Sequence, residues 1–461
     1  MMETALDESN PADWSAAALL EAYAAKRLTP LHALQAITAR IARHNPAINA
    51  FAVMNPGALN AARESTARWA AGAPKGLLDG VPVTIKDLID VAGLPTRRGS
   101  NTTEATPAAA DAPLTAALRA AGAVILAKTN TTEFGWKSPG DCPLTGITRN
   151  PRDPEHTPGG SSSGAAAAAA AAFGPLHVGT DAGGSIRIPA AWSGVVGLKP
   201  TFGRVPIWPL GAFGHVAVAG PMTRTVRDAA LLLSALAVHD RRDPFSLEQT
   251  PLDYRTGIED GVQGMRIGVL MHPGFAAPVD EDGLAALGAA RNILEGQGAE
   301  LFDMAVQLPD ISDVFSKIWG AALARQVGTI PPEKRGLLDA GLLGVALRFA
   351  NVTALDMLEA EALRVQAAHA MATQDYDALI CPCVPQCAPL AGARVEDPVA
   401  ALWQNWAPWT FLFNLTRQPA LSLPMGLNAA GLPVAVQIAA PIYQDAKLLR
   451  VARAIEKRSL F

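Results

Sequence analysis

The chain has 461 residues, 49% of them apolar and 17% charged, with a formal net charge of −4. That length exceeds one ordinary core and suggests two or three domains, while the composition excludes disorder and fits a well-buried globular enzyme. No block of basic residues offers a surface for nucleic acid, and the apolar stretch 165–173 falls far short of the ~20 residues a bilayer span needs. Four cysteines, three of them bunched, make no disulfide framework for a chain this long. The opening MMETALDESN is acidic and polar, without a secretory leader pattern, so a cytoplasmic location is expected.

Ser15 reads as the N-cap of a helix running from Ala16 toward Lys26. Thr29-Pro30 opens a second, with Leu34, Ile37 and Ile41 at helical spacing, and Asn45-Pro46 closes it. A third helix is expected over 56–71. Residues 80–85 read as a short buried strand with Lys86-Asp87 at its end, 113–121 as a helix, and 122–127 as the next strand. This alternation argues for an α/β layer structure with a largely parallel sheet. Strands are also expected at 176–178, 264–270 and 376–380, with helices at 226–237 and 284–294 and a long helical stretch up to Ala370. Ala420–Leu427 and Leu432–Ile438 flank a Gly431 turn and resemble a hairpin. No repeat or low-complexity linker interrupts the chain, which reads as one integrated body.

The most informative stretch is 158–201, with two serine-bearing glycine loops on either side of a run of alanines. The first loop is GGSSSG (159–164) and the second GTDAGGS (179–185). Glycine permits backbone that other residues avoid, and successive N–H groups make an anion-binding concavity. A serine at the end of such a concavity is placed to attack a carbonyl whose oxyanion the same N–H groups would hold. The alanine run is a strong helix former whose N-terminus points at the first loop. Alanine on every face implies close packing against neighbours.

Other motifs carry less. Gly160 to Gly164 fits a G-x-S-x-G elbow centred on Ser162, but DPEHTP before it cannot be a central strand. GAVILAKT (122–129) imitates a phosphate-binding loop with Ala127 where a glycine belongs, so Lys128 reads as structural. Cys381-Pro382-Cys383 with Cys387 makes a poor zinc set and reads as a buried strand end. The histidines are scattered, with His177 and His215 nearest the central stretch. A lysine neutralised by burial could instead take a proton from Ser185, and Lys86 is the candidate.

At GGSSSG, GTDAGGSIRIPA and GLKPTFGRVP, supported by VPVTIKDLIDVAGLPTRRGS, AKTNTTEF and LPMGL with GLPVAVQI, the sequence resembles the amidase signature family of serine hydrolases. The resemblance spans nearly the whole chain, weakest at about 240–370, the expected variable region lining the substrate. It implies an α/β fold in one large body over 1–461, with a central mixed, largely parallel sheet covered by helices on both faces. It also implies a Ser–cis-Ser–Lys triad, with Ser185 the nucleophile, Ser161 the bridge (its peptide bond to Gly160 cis) and Lys86 the base. The N–H groups of Ala182, Gly183, Gly184 and Ser185 would form the oxyanion hole. Ser162, Asp181 and Arg187 would support the site, and Gly135 and Trp136 would line the acyl channel.

The implied chemistry is hydrolysis of C–N bonds in small or aryl amides, extending to esters and carbamates, through an acyl-enzyme. It needs no metal and no organic cofactor. The expected partner is a small-molecule amide, with no nucleic acid and no membrane, and a homodimer is common among relatives. Ala182 stands where many members carry threonine. The middle region shows no cationic patch to hold a substrate carboxylate, whereas Trp136, Trp192, Trp208, Phe213, Trp403, Trp406 and Trp409 are available to line an apolar tunnel. Two alternatives stay open: the glutaminase component of a tRNA-dependent amidotransferase, and a non-catalytic binding protein on the same fold.

Overall fold

A computed structural model describes residues 10–248, 253–271, 273–275, 278–393, 407 and 409–459. Among them one eleven-stranded sheet organises the chain. Its strands are β1 (Phe51–Met54), β2 (Pro82–Lys86), β3 (Val124–Thr129), β6 (Leu176–Asp181), β7 (Val196–Lys199), β8 (Val218–Thr223), β9 (Arg266–Val269), β10 (Glu300–Asp303), β11 (Ala378–Pro382), β12 (Ala420–Leu427) and β13 (Pro433–Ala439). A separate two-stranded ribbon holds β4 (Asp141–Cys142) and β5 (Gly146–Ile147). The spatial order is β1-β3-β2-β6-β8-β7-β12-β13-β11-β9-β10.

The sheet is mixed, as the α/β reading expects. Its parallel pairings form two groups, β3-β2-β6 and β11-β9-β10. The strands between these groups pair antiparallel, so the parallel share is smaller than the alternation of helix and strand implies. β12 and β13 form the expected hairpin, with Ala420 opposite Ala439.

Two apolar cores lie on opposite faces. Along β11, Ala378 and Ile380 join one core while Leu379 and Cys381 join the other, the period-two alternation of a strand buried on both sides. The first core is closed by helices Val226–Leu236, Glu281–Glu295 and Asp445–Glu456. The second is closed by Ile311–Gly328, Ala340–Arg348 and Ala354–Ala372, so the single long helical stretch expected there is three helices.

The polyalanine helix (Ser163–Ala170) is buried along its entire length. Ala165, Ala166 and Ala169 pack toward Ile186 and Met222, whereas Ala167 and Ala168 pack toward Leu34 and Phe173. Methyl side chains on both faces let this helix pass between two layers at close range, which is what holds its N-terminal serines in place. Among the described residues no helix is long and apolar enough to cross a membrane.

Candidate active site

Three chain segments converge at the C-terminal ends of the parallel strands β2 and β6. All five residues of β2 are buried, which carries Lys86 at its end out of contact with water. Lys86 Nζ lies 2.7 Å from Ser161 Oγ, 2.9 Å from Ser162 Oγ and 2.9 Å from Thr180 Oγ1. Burial drives its pKa well below the ordinary lysine value, with the Asp181 carboxylate opposing the shift.

The hydroxyl protons decide what a neutral amine would do here. Ser162 Oγ donates to Thr180 O at 3.2 Å and accepts the Thr180 N–H at 3.3 Å, so its proton is committed. Ser162 can therefore only accept an N–H from an uncharged Lys86, whose other close contacts are the Ser161 and Thr180 hydroxyls. A neutral amine keeps one lone pair, which can accept a proton from a hydroxyl at this distance, as Ser161 and Thr180 both offer.

The Gly160–Ser161 peptide bond is cis. Ser185 is 9% exposed and lines the same cavity as Ser161. The two loops are tied by a backbone bond from Ser162 N–H to Ser185 O at 3.2 Å. No hydrogen bond joins the Ser161 and Ser185 hydroxyls among the described residues. Hydroxyl contacts beside a ligand cavity are often long until a ligand is bound.

Asp181, the last residue of β6, organises the second loop. Its carboxylate accepts from Arg187 Nε and Nη2 at 2.9 Å each, from Asn414 Nδ2 at 2.9 Å and from the Gly184 N–H at 2.8 Å. Burial pushes its pKa up, but the Arg187 guanidinium outweighs that and brings it to about 2. Arg187 in turn donates to Thr410 O at 2.7 Å, Gln437 Oε1 at 2.8 Å and Asn414 Oδ1 at 2.6 Å. Both charges are therefore consumed inside the protein.

This network corrects one expectation. The Gly184 N–H points at Asp181 rather than into the cavity, and is not available to an oxyanion. Among the described residues no acceptor engages the N–H groups of Ala182, Gly183 or Ser185. Gly184 itself is at φ 132°, and a Cβ there would overlap Thr410 and Ile188, so glycine is required by backbone and space alike.

The cavity and its solvent-open mouth together enclose about 670 Å³. Ser161, Thr180, Ala182 and Ser185 lie along it with Phe134 and Gly135, and Ile207 and Phe213 also line it. Gly135 borders it: a Cβ there would sit 3.2 Å from Ser161 Oγ. Trp136 does not line it. Its indole is buried against Gly341, where a Cβ would come within 2.6 Å of the ring. Of the other aromatic candidates among the described residues, only Phe213 lines the cavity, stacked on Trp319 with ring centroids 3.8 Å apart. Trp192 and Trp409 are core and Trp208 is 45% exposed. Trp403 and Trp406 lie outside the described residues.

The remaining motifs have structural partners. Lys128 forms a buried ion pair with Asp87 at 2.7 Å. His177 is buried, shares a 2.8 Å hydrogen bond with Thr84 and is pushed down to about 3 by burial. Cys381 and Cys383 are buried, while Cys387 lies apart from them beside Asp282 and Asn428. Sequence reading missed Thr180 as a partner of Lys86, although it lies inside the second glycine loop. It also missed Thr410, Asn414 and Gln437, more than two hundred residues beyond the loop they brace, where no local signal marks them.

The family model Amidase matches residues 32–449, and the chain belongs to the amidase signature family. It is 36% identical to an acylamidase of Rhodococcus erythropolis, with 96% of this chain and 94% of that protein aligned. It is 37% identical to the A component of the glutamyl-tRNA(Gln) amidotransferase of Myxococcus xanthus, over 93% of this chain and 94% of that protein. Among solved structures, a bacterial aryl acylamidase superposes with a TM-score of 0.88 at 27% identity, covering 96% of each chain.

Proposed function

We propose that the protein is a self-sufficient amidase that cleaves small or aryl amides through an acyl-enzyme on Ser185. The observation that carries this reading is the buried Lys86 with its amine 2.7 Å from the Ser161 hydroxyl, beside a serine that lines the same cavity. Lys86 draws the Ser161 proton, Ser161 draws the Ser185 proton, and Ser185 Oγ attacks the carbonyl carbon. The N–H groups of Ala182, Gly183 and Ser185 receive the oxyanion. Collapse breaks the C–N bond, and the relay returns the proton to the departing amine. Water then cleaves the ester and frees Ser185. The same acyl chemistry extends to esters and carbamates.

Two observations support the stand-alone reading: the apolar wall formed by Phe134, Ile207 and Phe213, and the similarity to two acylamidases. The equal similarity to an amidotransferase component favours a second reading, a glutaminase working with partner chains. Purified protein incubated with anilides, primary amides, glutamine and aryl carbamates, with Ser185→Ala as blank, separates them. Aniline or ammonia released by the wild type alone is the expected result. Silence on every substrate, with a fluorophosphonate still labelling Ser185, would favour the partner-dependent glutaminase.

A further inference from the structure

Among the described residues the cavity is lined mainly by apolar and hydroxyl side chains, with one cationic exception, Arg98. It comes from the TRRG segment before the first glycine loop, not from the variable middle region. Arg98 has a left-handed backbone, φ 54°, fixed on both sides: its N–H donates to Asp87 O at 3.1 Å and its carbonyl accepts the Phe134 N–H at 2.8 Å. A non-glycine residue in this region is uncommon and needs such over-determination.

Arg98 is partly buried, yet no carboxylate or other acceptor engages its guanidinium among the described residues. The nearby acids are already committed. Asp87 is paired with Lys128 and accepts the Arg97 N–H at 3.1 Å. Glu133 accepts from Ser100 Oγ and from the Asp339 N–H, both at 2.6 Å. A partly desolvated cation on a cavity wall without an internal partner is a site for an external anion.

Resting on the amidase reading, we infer that Arg98 is a specificity residue and that the preferred substrates are amides carrying a carboxylate on the part of the molecule distal to the scissile bond. The guanidinium fork binds that carboxylate, and the apolar wall takes the linker. A neutral amide of the same shape leaves Arg98 unpaired in a partly closed space and binds less well.

The test measures binding apart from turnover. In a Ser185→Ala background, calorimetry compares glutaric acid monoanilide with its methyl ester, then repeats both with Arg98→Gln and Arg98→Lys. The acid should bind more tightly than the ester. Arg98→Gln should shrink that preference by about tenfold to a hundredfold, the scale of a charge-assisted hydrogen bond, and Arg98→Lys should retain most of it. An equal acid-to-ester ratio in all three proteins, or no binding of the acid to the parent, would overturn the inference. Turnover of both anilides by the wild type is read separately. Hydrolysis without Arg98 dependence refutes the subsite and keeps the amidase. Arg98-dependent binding without hydrolysis refutes the amidase and keeps the subsite.

Discussion

Asp181→Asn tests whether the buried Asp181–Arg187 pair holds the second loop. Asp181 is fully buried, and Arg187 brings its pKa from 3.8 to about 2. By linkage that shift is worth about 2 kcal/mol, a contribution present above pH ~4 and lost as the pH falls toward 2. Substitution costs more than protonation, because it also leaves a buried guanidinium without its counter-charge, and removal of one partner of such a pair costs about 3–5 kcal/mol. At about 2.1 cal/mol/K per residue, 461 residues give an unfolding entropy near 1 kcal/mol/K, so Tm should fall by about 3–5 °C. Scanning calorimetry at neutral pH reads this directly. Arg187→Met should cost a comparable amount, and the double variant less than the sum of the two, because neither charge is then stranded. A Tm within 1 °C of the wild type for Asp181→Asn would refute the argument.

Ser161→Ala removes the hydroxyl 2.7 Å from Lys86 Nζ and should lower kcat by about 10²–10⁴-fold, the range of general-base catalysis, in steady-state kinetics on an anilide. A loss below tenfold would reduce Ser161 to a structural part. Activity should rise with pH as Lys86 deprotonates, with a midpoint below the ordinary lysine range. Since the unfolded chain then binds the extra proton, this residue makes stability climb with pH between the depressed native value and 10.5. A profile flat through the acid range would contradict a lysine base. Burial holds the Cys381 thiol up at about 12 and Cys383 at about 11, so neither should react with a disulfide reagent at pH 8 until the protein unfolds. Asp339→Ala removes the N-cap bond of 2.8 Å to the Gly341 N–H and the ion pair to Lys137, and should cost about 1–2 kcal/mol in denaturant titrations.

What could be read from the sequence follows from how local each determinant is. The N-caps at Ser15 and Thr29 bond within three residues, to Ala18 N and His32 N, and both were legible. The helix from Pro30 was expected to stop at Pro46 but runs to Ile48. A proline so near the C-terminus forfeits little, and Asn49 supplies the left-handed cap at φ 57°. β8 was invisible because its centre reads Gly220-Pro221, residues that weaken or interrupt a ladder. Here the sheet demands them: a Cβ on Gly220 would collide with Leu198 O of the neighbouring strand. Lys86, Ser161 and Ser185 stand in motifs long enough to be matched to the family residue by residue, and the structure brings Lys86 to 2.7 Å from Ser161 and puts Ser161 and Ser185 on one cavity. The Gly184 N–H was misassigned because its direction is set by a carboxylate three residues back, and three-dimensional bonds to Asn414 and Gln437 fix that carboxylate through Arg187.

The misplacement of Trp136 shows how the variable helices act on the site without entering its chemistry. The segment 133–137 sends Phe134 and Gly135 to the cavity, and turns Glu133, Trp136 and Lys137 toward the helix Ala340–Arg348. Glu133 accepts the Asp339 N–H, Lys137 binds both Asp339 and Asp141, and the Trp136 ring rests on Gly341. The cap of that helix is thus bolted to the wall beside Ser161. Gln326, on the neighbouring helix Ile311–Gly328, reaches the cavity directly. Lys86, Ser161 and Ser185 sit instead at the ends of β2 and β6 and beside the polyalanine helix, and their side chains bond to none of these groups. Changes in the helical region can therefore move Phe134 and Gly135, and with them the shape of the cavity, while Lys86, Ser161 and Ser185 stay where the sheet and the glycine loops hold them.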